Sequence, residues 1–184
     1  MNHSLQLLVL VFTLFFTIVN AESGQSISIV DLKPYVKDEK ILIDCEVQYR
    51  VDQRVREALS NGIEMTFLLE VELREKQDIV FDSIVSKYSH EFSIKYHALS
   101  KQYMMLEKDS NAERSFSDLY SAFYYQRNLH KAELGDAKLQ DLHTNLYIKA
   151  RAKLVSEKLP LPLRIKSYIY KDWRPSSGWT TWPI

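Results

Sequence analysis

The sequence predicts a mainly β protein, an antiparallel β-sandwich or open barrel with two short helices. Several segments alternate apolar and polar side chains with a period of two, which is typical of strands that bury one face. Turn-forming residues join these segments, and only two short helical patterns interrupt them. A parallel α/β fold would require a helical pattern after almost every strand. The sequence therefore favours antiparallel sheets.

Residues 1–21 differ in composition from the rest of the 184-residue chain. They contain no Asp, Glu, Lys or Arg, and residues 5–19 form an almost unbroken apolar run. A membrane span needs about 20 such residues, whereas a shorter run followed by small residues is typical of a secretory signal. We predict a signal peptide over residues 1–21 and a single β-rich domain of unknown function over residues 22–184. The alternative is an uncleaved segment that anchors the protein in the inner membrane through residues 5–19.

The predicted domain begins with a hairpin. Residues 27–32 and 41–51 have the pattern of two strands, and residues 33–40 supply the turn between them. Cys45 lies on the apolar side of the second strand. It is the only cysteine in the chain, so an internal disulfide is excluded, and we expect a buried thiol.

A short helix and a long strand follow the hairpin. Asp52 is a candidate N-cap, and Asn61-Gly62 ends the helix. Residues 64–74 then alternate again and predict a strand with one acidic face. The middle of the domain contains three further predicted strands and a second helix, which starts at a capping box formed by Ser115 and Asp118 and extends to about Asn128. The three strands are predicted over residues 79–85, 91–99 and 102–106.

The last part of the chain contains two more predicted strands and an aromatic tail. Residues 146–154 alternate between apolar and mostly basic side chains. Leu159–Leu163 contains two prolines, which predict an extended break because proline cannot pair within a central strand. Residues 165–170 form the last predicted strand, and the tail over 173–184 is rich in Trp and turn residues.

Charge and motif content exclude several functional classes. The 24 Lys and Arg residues balance 24 Asp and Glu residues, which disfavours a nucleic-acid binder that neutralises phosphates. The sequence contains no glycine-rich phosphate-binding pattern, so we predict no cofactor. The four His residues after the signal region have no metal-ligand spacing, so we predict no metal site either.

The sequence contains no established catalytic pattern. No GxSxG nucleophile elbow is present, and the His–carboxylate pairs that can be written arise freely in a chain this charged. We predict that the protein is not an enzyme and that it has no catalytic residues. The alternative is an envelope hydrolase that uses His97 or His143 with a nearby carboxylate.

Two charged rows and three tryptophans form the candidate binding surface. The acidic row, Glu64, Glu70 and Glu72, and the basic row, Lys149, Arg151 and Lys153, each alternate with apolar positions of a strand. If the two strands are neighbours, cross-strand ion pairs should form; the basic row could instead bind a ligand. The tail tryptophans either close the edge of the core or bind a glycan, a peptide or a partner protein. The candidate binding residues are therefore Trp173, Trp179, Trp182, Lys149, Arg151 and Lys153.

An ordered set of short segments resembles a known family. The segments are Tyr96–Tyr103, Ser115–Leu119, Ala150–Leu154, Leu159–Leu163, Asp172-Trp173 and Ser177-Gly178-Trp179 through Trp182. Together they are similar to a family of uncharacterised exported proteobacterial proteins whose gene commonly lies beside that of a nitrogen-sensing membrane histidine kinase. The resemblance implies an accessory role in the cell envelope, and it implies no catalytic residues.

We therefore expect an exported periplasmic protein that acts as a protein-interaction or accessory module. The expected partner is an envelope or inner-membrane protein, such as the extracytoplasmic part of a sensor kinase. Contact with the membrane is expected only through residues 1–21, if they are not removed. The alternatives are an envelope binder of glycans or peptides that uses the Trp residues, and the hydrolase described above.

Overall fold

Two antiparallel sheets share one hydrophobic core in the computed structural model, which describes residues 27–77, 81–143 and 145–184. The prediction of a mainly β, antiparallel protein is confirmed, and neither sheet closes on itself. The predicted signal peptide, residues 1–21, lies outside the described residues. No helix in the described ranges is long and apolar enough to span a membrane.

The smaller sheet has three strands in the order β1-β2-β7. They are β1 (Ile27–Lys37), β2 (Lys40–Tyr49) and β7 (Asn128–Asp136). The β1–β2 hairpin turns through Asp38 and Glu39, which both have positive φ. Two consecutive left-handed residues form the two-residue turn that matches the twist of a hairpin. The predicted hairpin is therefore present, with a longer first strand than the sequence indicated.

Among the described residues, the larger sheet has six strands: β3 (Met65–Glu75), β4 (Ser83–His97), β5 (Gln102–Glu107), β6 (Ala112–Phe116), β8 (Leu146–Leu154) and β9 (Thr180–Pro183). Their order is β6-β5-β4-β3-β8-β9. Every second residue of β3, from Met65 to Leu73, is buried in the core. β4 is one continuous strand where two were predicted. It begins at Ser83, and residues 79–80 of the first predicted strand lie outside the described ranges.

Four short helices connect the strands in the described part of the chain: α1 (Gln53–Ser60), α2 (Leu119–Tyr125), α3 (Leu139–Leu142) and α4 (Leu161–Ile169). Asp52 caps α1 as predicted, and its side chain accepts a hydrogen bond from the Arg54 amide at 2.9 Å. The predicted capping box of α2 is wrong. Ser115 lies in β6, and Asp118 is itself the N-cap, accepting from the Ser121 amide at 2.8 Å.

The strand predicted over residues 165–170 is also wrong, because α4 occupies this region. Pro160 is the N-cap of α4 and Pro162 lies in its first turn, where a proline costs no hydrogen bond. Residues Lys171–Trp173 then form a short 3-10 turn that packs against α1 and α4. The segment between β8 and β9 is therefore helical and lies at the same end of the molecule as α1.

Candidate binding surface

The outward face of β8 carries the predicted basic row. Lys149, Arg151 and Lys153 are half-buried, while the residues between them, Ala150 and Ala152, are fully buried in the core. The backbone pairing with β3 places Lys149 opposite Glu72 and Arg151 opposite Glu70. The two charged rows therefore lie on neighbouring strands and on the same face of the six-stranded sheet.

Glu70 joins two cations of the basic row. Its Oε2 atom is 2.7 Å from Nη2 of Arg151 and 3.2 Å from Nζ of Lys153. The predicted cross-strand ion pair is therefore confirmed at Glu70. Burial acts to raise the pKa of Glu70, but hydrogen bonds from Arg151 and Lys153 outweigh it, so that the pKa lies below its ordinary value.

Lys149 makes no ion pair in the part of the chain that the structure describes. Its cross-strand neighbour Glu72 is engaged by Arg74 at 3.4 Å and by Lys87 at 3.5 Å. The ammonium group of Lys149 therefore lies on this face without a carboxylate partner, next to the Arg151 guanidinium, which is already paired with Glu70.

Trp179 lies against the same two cations. The Cζ atom of Arg151 is 4.5 Å from the centroid of the Trp179 ring, and Nζ of Lys149 is 5.7 Å from it. Both distances fall within the range of a cation–π interaction. The ring remains 36% exposed. An aromatic side chain is thus fixed at the surface of the sheet by groups from the neighbouring strand.

The segment before β9 sets the position of Trp179. Ser177 donates its amide to the Ala152 carbonyl at 2.9 Å, and its hydroxyl accepts the Ala152 amide at 3.0 Å. Gly178 follows with φ of +69°, a conformation that glycine adopts without steric cost. The Ser177 contacts fix the backbone before the ring, and the pairing of Thr180 with Ala150 fixes it after the ring.

The other two predicted tryptophans belong to the core region. Trp173 is buried in the 3-10 turn next to α1 and α4. Trp182 on β9 lies opposite Ile148, packs against the core, and donates from Nε1 to the Thr180 hydroxyl at 3.1 Å. The structure therefore brings together Trp179, Lys149, Arg151 and Lys153, and it separates them from Trp173 and Trp182.

The candidate hydrolase residues lie far apart in the fold. His97 is at the β4–β5 turn, where its Nδ1 atom lies 3.0 Å from the Ser100 hydroxyl. His143 follows α3, and its Nδ1 atom lies 3.2 Å from Oε2 of Glu75. Of these two candidates, His143 is the one with a carboxylate neighbour among the contacts of the described residues. No group of three or more potential metal ligands occurs in the described ranges.

The sequence did not indicate a cleft of about 470 Å³ between the end of β2 and α2. Its lining includes Arg50, Arg56, Tyr120 and Tyr124, and the two tyrosine rings stack with centroids 6.1 Å apart. Tyr120 and Tyr124 are four residues apart in a segment predicted to be helical. This spacing places both rings on the same side of the helix, and it could have indicated the cleft.

Comparison with known protein families identifies the family of the domain. Residues 24–183 match the family described as a domain of unknown function, DUF4390. The chain belongs to the DUF4390 family. No curated protein and no solved structure matches it significantly. The DUF4390 match covers both sheets and the residues around Trp179, and it assigns no activity to them.

Proposed function

We propose that this DUF4390 protein is exported to the cell envelope and acts there as a protein-interaction module. The observation that carries the proposal is the exposed Trp179 ring held against Arg151 and Lys149 on the outer face of the larger sheet. Tryptophan and arginine are the residues most enriched among interface hot spots. The contact surface of the module is this Trp179 surface, formed by Trp179, Lys149, Arg151 and Lys153.

The surface is preorganised for a partner. Glu70 holds Arg151 through Nε at 3.1 Å and Nη2 at 2.7 Å, so the guanidinium loses little freedom on binding. Lys149 has no carboxylate of its own, as described above. The partner should therefore present an apolar or aromatic group to Trp179 and a carboxylate to Lys149.

The partner we propose is an envelope or inner-membrane protein, such as the extracytoplasmic part of a nitrogen-sensing histidine kinase. The apolar run over residues 5–19 supports export, because its length and the small residues that follow it suit a secretory signal. The family resemblance to proteins encoded beside such kinases supports the class of partner.

Site-specific photo-crosslinking in cells tests the interaction. A photoreactive residue at Thr181, which is exposed and opposite Lys149, should give a discrete protein adduct. Trp179→Ala in the same chain should reduce that adduct several-fold, because it removes the ring at the centre of the surface. Phe81→Ala is the matched control, since Phe81 is 98% exposed and lies in the β3–β4 connection. An adduct that survives Trp179→Ala unchanged would contradict the proposal.

Export is tested separately. A fusion of residues 1–26 to alkaline phosphatase, an enzyme active only outside the cytoplasm, should be active in cells, and deletion of residues 5–19 should abolish that activity. An inactive fusion that is nevertheless produced in full would show that the chain is not exported.

A further inference from the structure

Helix α4 carries an apolar stripe that the domain leaves exposed. Leu161, Ile165, Tyr168 and Ile169 are each between 54% and 68% exposed. At 100° per residue, positions i, i+4, i+7 and i+8 lie on one side of a helix. The opposite side faces the domain, because Ser167 is fully buried and Leu163 packs against the core. The stripe therefore points directly away from the protein.

Basic side chains border this stripe. Arg164 and Lys166 lie on its two flanks, and Lys171 and Arg174 follow in the next turn. Residues 161–174 contain these four cations and a single carboxylate, Asp172, which Arg54 already engages at 2.7 Å. Lys166, Lys171 and Arg174 make no ion pair within the described ranges. The α4 surface thus combines exposed apolar side chains with unpaired positive charge.

The α4 surface lies at the end of the domain where the described chain begins. Ile27 starts β1 opposite Tyr49, and β2 leads from Tyr49 directly to α1. The ion pair between Arg54 of α1 and Asp172 connects α1 to the turn that follows α4. In the sequence, only residues 20–26 separate the apolar run over residues 5–19 from Ile27.

We propose that α4 is a membrane-docking helix that binds the surface of an anionic phospholipid bilayer. A helix with an apolar face and basic flanks inserts its apolar side chains at the headgroup boundary, while Lys and Arg contact acidic headgroups. A nine-residue helix gives weak and reversible binding, so α4 orients the domain on the membrane and does not anchor it. This inference rests on the proposed envelope location, and it adds a membrane contact beyond residues 1–21.

A second copy of the chain fits the stripe less well. In a two-fold symmetric dimer, both subunits contribute the same surface to the interface. Docking α4 on α4 would bring Arg164 and Lys166 of one chain close to the same cations of the other, and like charges in contact oppose association. An anionic bilayer neutralises these groups and accepts the apolar stripe at the same time.

An environment-sensitive fluorophore at position 165 tests the proposal in the full chain. Because Cys45 is buried, Ile165→Cys supplies the reactive thiol for labelling. Vesicles of equimolar phosphatidylglycerol and phosphatidylcholine should shift the emission to shorter wavelength, and vesicles of phosphatidylcholine alone should not. The same label on Phe81→Cys, in the β3–β4 connection far from α4, should not respond. Lys166→Glu with Lys171→Glu should weaken vesicle binding at position 165 by about tenfold or more.

The outcomes separate this inference from the proposed function. No shift with anionic vesicles, or an equal shift at positions 165 and 81, would overturn membrane docking. A shift that appears without vesicles as protein concentration rises would overturn it in favour of self-association. A photo-crosslink from position 165 to another protein, without a vesicle response, would overturn membrane docking and show that a partner protein covers the apolar stripe. In each case the Thr181 crosslinking result on the Trp179 surface stands independently.

Discussion

Arg151 on β8 and Glu70 on β3 lie directly opposite each other, with Nη2 of the guanidinium 2.7 Å from Oε2 of the carboxylate. The Cζ atom of the same guanidinium lies 4.5 Å from the centroid of the Trp179 ring. The ion pair between these two neighbouring strands therefore holds the guanidinium against which the Trp179 ring lies. Stability of the sheet and geometry of the candidate surface depend on the same three side chains.

Replacement of Glu70 should lower stability and change its pH dependence. Glu70→Gln removes the charge that Arg151 and Lys153 share, and a half-exposed pair of this kind contributes about 1 kcal/mol. The pKa of Glu70 is lower in the folded protein than in the unfolded chain. Its contribution is therefore complete above the unfolded pKa and is lost as the pH falls through the folded pKa. Urea denaturation at a series of acidic and neutral pH values measures both effects.

Glu113→Gln provides the matched control for this prediction. Glu113 is an exposed residue of β6, and it makes no ion pair among the residues that the structure describes. The control should leave the unfolding free energy and its acid dependence nearly unchanged. If both variants behaved alike, the ion pair at Glu70 would contribute nothing measurable.

Arg151 and Trp179 should be energetically coupled. In a double-mutant cycle of Arg151→Ala and Trp179→Ala, the unfolding free energies should be non-additive by about 0.5–1 kcal/mol, as expected for a surface cation–π pair. The pair Arg151→Ala and Phe81→Ala, whose members are far apart, should be additive. Additivity in both cycles would show that the Trp179 ring is not held by the guanidinium.

Strands with one buried and one solvent-exposed face could be predicted from the sequence when the alternation was long enough. The shorter pattern of β7 could not. β2, β3 and β8 alternate along most of their length because one face of each lies on the core. In β7 only Ala132 and Leu134 are buried, so the pattern was too short to detect in a polar segment. The helix α4 was predicted as a strand because the prolines of Leu159–Leu163 were interpreted as an extended break. With that segment set aside, the helical spacing of Leu161, Ile165 and Ile169 was not recognised.

The charged part of the candidate surface was also predictable, whereas the role of each tryptophan was not. Glu70 and Arg151 each stand on an alternating strand, so their exposure follows from the pattern. Which strands become neighbours depends on contacts between residues far apart in the sequence. The sequence therefore predicted the ion pairs only for the case in which these two strands are neighbours. Trp179 and Trp182 are three residues apart, and the turn at Gly178 decides which ring reaches the outer face.

Cys45 should be unreactive in the native protein. Its side chain is buried, and burial raises the pKa of the thiol to about 12, far above the ordinary value of 9.0. A water-soluble disulfide reagent should therefore modify Cys45 only when the protein unfolds, with the labelling rate in urea following the unfolding transition. Because the folded pKa is raised, the stability contributed by the neutral thiol is complete below the unfolded pKa and is lost as the pH rises through the folded pKa.

A thiol introduced at Phe81 gives the comparison for Cys45. Phe81→Cys should react fast in native buffer, while Cys45 in the same chain stays protected until denaturant is added. Fast modification of both thiols under native conditions would contradict the burial of Cys45 in the shared core.

Gly178 should be required for the geometry of Trp179. Its φ of +69° lies in the left-handed region, and a Cβ atom added there would meet nothing within 4 Å. Any cost of Gly178→Ala therefore comes from the backbone alone, and it should be roughly 1 kcal/mol. Gly178→Asn should be less destabilising, because asparagine tolerates this conformation better than alanine does.

The same substitution tests the position of the ring. If the alanine variant relaxes by moving φ to negative values, the ring leaves Arg151 and the coupling between Arg151 and Trp179 disappears from the double-mutant cycle. Equal stability of the glycine, asparagine and alanine forms, with the coupling intact, would show that the turn does not position the ring.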